Sequence, residues 1–574
     1  MPPLAPLAPE ALPAPLPQQA GLDTAVAELG AHRAAWVAVS PLDRLRLVRE
    51  LRRDVAGIAD RWASAVAEAE GLAPNEAAEA WLTGPYLTLR QLRFFEQSLR
   101  GIARNGVPRI PGGIATLHDG RASARVVPFD RFDRMMYRGV TADVWMQRGV
   151  TTEELPLMQA IAYREPDGGG VCLVLGGGNI SSIAPLDALD KLFVANRVVL
   201  LKVHPTLAYL APILSLGMRS LIRDGFLRIV QGGAPEGAYL SEHRDIDELH
   251  ITGSYRTYNA IVFGAGQDGE ARRLRDQPVL DKPFSAELGN LTPVIVVPGR
   301  WSLADIDYQA DNLATMLTNN AGFNCTTPRV VITPAGWRHR QTFLNAVRAR
   351  LTATPARVAY YPGAAERFDR FIAVHPDAEQ FGMRDDRRLP WALITDLDAR
   401  ARNDICFTTE AFCGVFGELP LPSADIADYL KRAVAFANDS LWGSLNATLI
   451  VHPSTLHDPD AAAAVERAVA DLRYGTVSIN HWSALGFALG VTPWGAFPGQ
   501  ARNDIGSGND FAHNSLMFSR VEKTVIRAPF RAFPKPVWFG THRTASRLAR
   551  MLVRFEANPN LLRLAAMMPR ALIG

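Results

Sequence analysis

"VCLVLGGGNISSIAPLDALDKLFVANRVVLLKV", residues 171–203, sets the fold class. Two aliphatic runs, "VCLVL" (171–175) and "VVLLKV" (198–203), lack polar alternation, so both read as strands buried on two faces. Between them "PLDALDKLFVAN" (185–196) reads as a helix. Strand, glycine turn, helix, strand is the repeating unit of a parallel, doubly wound sheet. Such sheets bind ligands at the carboxyl ends of their strands, where "GGGN" (176–179) stands. The glycines do not fit G-x-G-x-x-G, and a tight strand-to-helix turn accounts for them equally well.

The alternation continues through "LRIV" (227–230) and "ELHIT" (248–252), then restarts at "TPVIVV" (292–297) and runs to about residue 500. The fold class predicted is therefore α/β, with a parallel doubly wound domain over 22–290 and a second α/β domain over 291–500. Ahead of the first sheet, 22–100 reads as helices, with Ser40 as N-cap and Pro41 at the first helical position. Residues 101–150 read as loops, and a hairpin insertion is expected within 115–165. Residues 1–21 are Pro/Ala-rich and read as a disordered extension. The segment 501–574 is expected to return to the first domain and to end in a helix.

Length and composition set the limits. The chain has 574 residues, 48% hydrophobic and 21% charged, which is the make-up of a multi-domain globular enzyme. Its 61 basic and 58 acidic side chains leave a net charge of +3, too small a bias for a nucleic-acid partner. The four cysteines form no CxxC and no sequence cluster with histidine, so neither a metal site nor a disulfide framework is expected. With no basic n-region at the N-terminus and no long apolar run, a cytoplasmic location is expected.

Five short motifs carry chemistry. Asn179 closes the glycine turn and offers a carboxamide donor. "ITGS" (251–254) ends a strand with Gly253 and Ser254, a plain N-cap or a phosphate-facing helix start. "ELGN" (287–290) sets Glu287 before a strand, and "TEAFCG" (409–414) carries Glu410 and Phe412. "TNNAGFNC" (318–325) puts Cys325 at the mouth of "VVIT", where a thiol is either inert or a nucleophile.

In order, "GGGN…LLKVHP…ITGS…ELG…GFNC…EAF" resembles the landmarks of the aldehyde dehydrogenase superfamily, as a divergent member. "SLWGSLNATL" (440–449) and "GTVSIN…TPWGAF" (475–497) extend the likeness, which covers about residues 22–515. The resemblance implies a dinucleotide-binding first domain, a catalytic second domain and a small oligomerisation hairpin, assembled as a homodimer or homotetramer. It implies NAD(P)-dependent oxidation of an aldehyde to an acid. Cys325 would be the nucleophile and Glu287 the base that activates water, and the oxyanion would sit between Asn179 and the Cys325 N–H. Lys202 would hold the adenosine ribose, Gly253 and Ser254 the pyrophosphate, and Glu410 and Phe412 the nicotinamide end. A low thiol pKa would help Cys325, and the polar turn plus a bound cationic nicotinamide could supply it. Gly322 should let the loop pass close to the cofactor.

Departures qualify the match. The aromatic-flanked entrance of the family is here "GGGNISS". Pro205 stands where NAD-preferring members often carry a glutamate, which leaves both NAD and NADP open. Tyr258 occupies a glycine position of the pyrophosphate turn, and an extra loop is expected around 264–278. Two other readings compete: a coenzyme A-acylating enzyme, against which Glu287 speaks, and a silent scaffold or binding protein. Trp482, Leu485 and Phe487 suggest an apolar substrate pocket. In the tail, Arg543, Arg547, Arg550 and Arg554 alternate with Leu548, Met551 and Leu552. That helix reads as packed on the body or a neighbouring subunit, with contact to an anionic membrane surface as the alternative.

Overall fold

The computed structural model describes residues 18–574. The extension expected over 1–21 lies outside the described residues, except that 18–21 open the helix Gln18–Ala38. The next helix, Pro41–Ala69, starts as the sequence dictates: the Ser40 side chain accepts from the Asp43 N–H and Pro41 takes the first position. This helix packs its apolar stripe on the helix Leu87–Asn105.

Two sheets follow. An arm comes first, made of β1 (Ile114–Thr116), β2 (Ala122–Val127) and β3 (Thr141–Met146). The first sheet holds β4 (Val171–Leu175), β5 (Val198–Lys202), β6 (Leu227–Val230), β7 (Glu248–Gly253) and β8 (Phe284–Leu288). All its pairs are parallel, in the order β6-β5-β4-β7-β8. The chain winds outward from β4 to β6 and then returns to β7, so the winding reverses between β4 and β7. That switch point opens a crevice outside the strands' carboxyl ends.

The second sheet carries β9 (Thr292–Val296), β10 (Pro328–Pro334), β11 (Glu379–Phe381), β12 (Trp391–Ile394), β13 (Val415–Leu421), β14 (Asn446–Ile450), β15 (Thr476–Ile479) and β16 (Val521–Arg527). With the arm it forms eleven strands in the order β1-β2-β3-β16-β15-β14-β9-β10-β13-β12-β11. The strands from β16 to β12 run parallel, with antiparallel pairs at both margins. The hairpin expected within 115–165 thus lies on this chain's own second sheet, Thr524 of β16 facing Thr476 of β15 on one side and Val144 of β3 on the other.

One local reading changes. The loop expected around 264–278 is largely a helix, Gly266–Leu274, with Asp268 in its first turn and Arg272 and Arg273 in its last. Those charges complement the helix dipole and account for a helix in so polar a stretch. Beyond residue 500 the chain does return to the first sheet: Leu288 N–H donates to the Ser507 carbonyl (2.8 Å), and Ala286 N–H donates to the Asn509 side chain (2.8 Å).

Candidate active site

Cys325 is presented by an unusual turn. Asn320, Ala321 and Gly322 are consecutively left-handed, with φ of 51°, 52° and 78°. Non-glycine residues there cost roughly 1–3 kcal/mol each. Hydrogen bonds offset this strain: the Asn320 N–H donates to Glu79 (3.1 Å), its amide donates to the Asn179 carbonyl (2.9 Å), and its Oδ1 accepts from the Tyr360 hydroxyl (2.8 Å). Gly322 does not face the cleft as expected. A Cβ there would strike the Cys413 carbonyl, so glycine serves to seat this turn against the 413–414 backbone. Buried Arg329 clamps the same junction, donating to the carbonyls of Gly322 (2.8 Å), Cys413 (2.5 Å) and Val415 (3.2 Å).

The Cys325 carbonyl accepts from Thr292 Oγ1 and Asn446 Nδ2, both at 3.1 Å. The thiol is half-buried and in hydrogen-bonding reach of Glu287. Burial, then the Glu287 and Glu410 carboxylates, push it well above the usual thiol range rather than below it. The polar turn therefore does not by itself lower the thiol pKa, because burial and two carboxylates outweigh it at the sulfur.

Glu287 is the penultimate residue of β8, buried, and its Oε1 accepts from the Trp494 indole N–H at 3.0 Å. Burial first, then the charge of Asp187, raise its pKa to about 8. Asn179 is buried and uses one amide hydrogen on the Phe323 carbonyl (2.8 Å), which ties the first domain to the turn that presents Cys325. A carboxamide has two such hydrogens, so the other is free of that bond.

A cleft of about 870 Å³ opens over the switch point and takes in Asn179, Lys202, Pro205, Gly253, Ser254, Glu287, Cys325, Glu410 and Phe412. A Cβ at Gly178 would run into the His204 ring, so only glycine keeps this wall open. Lys202 Nζ donates to the Gly232 carbonyl (2.7 Å), and desolvation lowers its pKa. Ser254 caps the helix Tyr255–Phe263, its side chain accepting from the Arg256 N–H, and the first residues of that helix line the cleft beside it. Tyr258 turns away: it is buried and stacks on Phe284 at 4.9 Å, so it does not fill the turn at Gly253 and Ser254. Glu410 accepts from the Asn290 N–H (3.2 Å), and burial raises its pKa to about 7. Phe412, left-handed at φ 42°, packs edge-on against Tyr361.

A second, narrower passage of about 270 Å³ reaches Cys325 from the other side. Trp482, Leu485 and Phe487 line it as expected, joined by residues of the C-terminal tail. Cys325 and Asn179 belong to both spaces.

Trp494, Asn446, Arg329 and Thr292 are the supporting residues that sequence reading did not single out. Their signal was present: Arg329 and Asn446 are polar side chains at the start of otherwise apolar strands, and such residues are buried only with partners. The fold also brings together one metal-capable group among the described residues, where the sequence shows no cluster. His375 Nε2 lies 3.0 Å from Asp404 Oδ1 and 3.7 Å from Cys406 Sγ.

Comparison with known proteins places this geometry. Residues 138–358, which span Asn179 to Cys325, match the model described as Aldehyde dehydrogenase family. The chain is 29% identical over 184 residues to N-succinylglutamate 5-semialdehyde dehydrogenase of Ectopseudomonas mendocina (32% of this chain, 34% of the relative). It is 30% identical over 188 residues to aldehyde dehydrogenase 1 of Tanacetum cinerariifolium (31% and 33%). The matched stretch thus spans about a third of the length of these curated relatives. The fold match is far longer. A mutant aldehyde dehydrogenase C from Pseudomonas syringae, complexed with NAD+ and octanal, superposes with a TM-score of 0.60 at 17% identity, covering 92% of this chain and 95% of that one. An NAD-dependent aldehyde dehydrogenase from Sinorhizobium meliloti does so with a TM-score of 0.58 at 16% identity (90% and 88%). Residues 138–358 thus resemble the aldehyde dehydrogenase family from Asn179 to Cys325, and the chain shares the fold of such enzymes along nine-tenths of its length.

Proposed function

We propose that the protein oxidises an aldehyde to a carboxylic acid with NAD or NADP, through a thioester on Cys325. The observation that carries this reading is the position of Cys325, with Glu287 beside it, where the cleft and the passage meet. A cofactor and an aldehyde could approach the same sulfur from opposite sides without displacing each other.

The cleft fits a dinucleotide. It lies at a switch point, offers a helix start at Ser254 beside Gly253 for a pyrophosphate, and has Lys202 at the carboxyl end of β5 for a ribose. Glu410 and Phe412 stand at the end nearest Cys325, for the nicotinamide ribose and ring. Pro205 brings no carboxylate to repel a 2′-phosphate, which is why both cofactors are proposed. The chemistry supplied there is acceptance of the hydride.

The chain's own residues do the remainder. The thiol proton passes to Glu287, whose raised pKa makes it a stronger base than an ordinary carboxylate. The sulfur adds to the carbonyl carbon, and the oxygen takes the charge between the Asn179 amide and the Cys325 N–H. Loss of hydride from that carbon leaves the thioester. Glu287 releases the thiol proton to solvent and then removes a proton from water, whose oxygen attacks the thioester carbon and expels the Cys325 thiolate as the acid forms.

The test is reduction of NAD and NADP by an aldehyde panel, with wild type and Cys325→Ser, with and without coenzyme A. Acid formation by the wild type and its loss in the variant support the reading. Acyl-CoA as the product would overturn the hydrolytic step, and no turnover on any aldehyde would favour a binding role. A homodimer or homotetramer remains part of the proposal; since the arm is already paired within the chain, subunits would meet on its outer surfaces. Among the described residues, no helix is long and apolar enough to cross a membrane.

A further inference from the structure

The passage on the far side of Cys325 differs in kind from the cleft. Its inner end is Asn179, Asn324 and Cys325, and beyond these its wall is almost wholly apolar. Ile183, Leu485 and Phe487 of the body line it together with Val537, Leu552 and Met567 of the C-terminal tail. His481 adds no charge: burial pushes its pKa down to about 4, and its Nδ1 accepts from the Trp482 N–H at 2.9 Å. Glu79 is already taken, by Arg357 (3.2 and 3.0 Å) and the Asn320 N–H. The remaining charges, Arg138 and Lys535, belong to surface segments, so no cation stands deep enough to receive a short acidic tail.

Much of this wall comes from the C-terminal tail, and the tail is firmly held. Glu556, at the end of the helix Ala545–Ala557, is fully buried between Arg90 (3.0 Å) and Arg93 (2.6 Å), which also bind Asp133 and Asp130. A buried charge cluster of this kind fixes position, since withdrawing one member leaves the others unpaired. The following helix, Leu561–Leu572, is held more lightly: it buries only Leu564 and Met567. The outer rim of the passage is apolar and solvent-facing, with Phe533 74%, Met135 55% and Met568 39% exposed.

We propose that the substrate is an aldehyde with a long, unbranched apolar chain, and that the C-terminal helix pair Ala545–Ala557 and Leu561–Leu572 selects it. This rests on the reading of Cys325 as the nucleophile. The aldehyde carbon lies at Cys325, the chain runs along the Leu485–Phe487 wall under the helix pair, and its end emerges at Phe533 and Met568. A short or acidic aldehyde would leave that wall wet or place a charge against it.

The experiment measures kcat/KM over straight-chain aldehydes from acetaldehyde to dodecanal, with succinic semialdehyde as the anionic rival. Burial of each methylene predicts a rise of about fourfold per carbon until the passage is filled. Met568→Glu and, separately, Phe533→Ser place polar groups on the exposed rim, and each should lower the dodecanal-to-acetaldehyde ratio by about tenfold or more. Melting curves confirm that both variants fold. Independently of turnover, the Trp482 and Trp538 indoles report binding of fatty alcohols by fluorescence, and dodecanol should bind about 16-fold tighter than decanol. A flat chain-length profile, a preference for succinic semialdehyde, or variants with an unchanged ratio would overturn the inference while leaving aldehyde oxidation standing. Tight alcohol binding without any aldehyde turnover would instead sink the catalytic reading and keep the passage as a binding site.

Discussion

The bond from the Trp494 indole to Glu287 gives the sharpest test of the proposed base. Trp494→Phe keeps an aromatic ring in a buried position and removes one donor, which lies 3.0 Å from Oε1. That donor favours the ionised carboxylate, so its loss must raise the Glu287 pKa above the present value of about 8. A hydrogen bond to a charged group contributes roughly 1.5–3 kcal/mol, and about 1.4 kcal/mol corresponds to one pKa unit, so a shift of about one to two units follows. A base acts only when deprotonated. The variant's rate should therefore fall about 10- to 100-fold near neutral pH and recover on an alkaline plateau displaced upward by the same one to two units. The assay is the pH dependence of kcat with saturating cofactor and aldehyde, alongside wild type. An unmoved or lowered inflection would refute the assignment of Glu287 as the base held by Trp494. A loss that persists on the plateau would mean that the indole acts through packing instead.

Three further outcomes are expected. Asn179→Ala should lower kcat by about 100- to 1,000-fold, the usual effect of losing one oxyanion donor, while cofactor titrations change little. Lys202→Met should weaken cofactor binding by about tenfold or more, the effect falling on cofactor KM rather than kcat, as initial-rate kinetics would show. Glu70 is buried beside Glu79, and burial raises its pKa to about 8, so the protein holds it protonated. A carboxyl whose folded pKa lies above its unfolded one favours folding at low pH and loses that contribution as pH rises from about 4.5 towards 8. Glu70→Gln, which mimics the neutral acid, should raise the melting temperature at pH 8 and leave it nearly unchanged at pH 4.

What could be read from the chain depended on whether the signal was local. The strands β4 and β5 announce themselves because both faces are covered, so "VCLVL" and "VVLLK" are apolar throughout. Ser40 and Pro41 mark a helix start by chemistry that acts within one turn. The helix Gly266–Leu274 was hidden because its residues are nearly all polar and give no apolar period, and its order comes from dipole complementarity instead. Tyr258 read as an obstacle because a motif alignment gives position but not phase; helix geometry turns its ring into the core against Phe284. Asn179, Glu287 and Cys325 could be proposed from order alone, yet Trp494 lies 207 residues from Glu287 and Asn446 lies 121 from Cys325, separations no window spans. The direction of the thiol shift is illegible in the sequence for the same reason. It depends on two carboxylates that the fold brings near the sulfur from distant segments.

The arrangement also explains why one small turn carries so many constraints. The oxyanion donors proposed here come from different domains, Asn179 from the first sheet's switch point and the Cys325 N–H from the turn before β10. Their spacing is therefore only as fixed as the junction between the two sheets. The Asn179 bond to the Phe323 carbonyl closes that junction on one side, and Asn320 returns a bond to the Asn179 carbonyl on the other. Arg329 then ties the turn to the 413–415 backbone, which is continuous with Glu410 and Phe412. A shift of the sheets by a fraction of an ångström would thus be felt together at the oxyanion donors, the thiol and the proposed nicotinamide contacts. The left-handed backbone at Asn320 and Ala321 is the strained path along which one turn makes all of these bonds, and the bonds offset its cost.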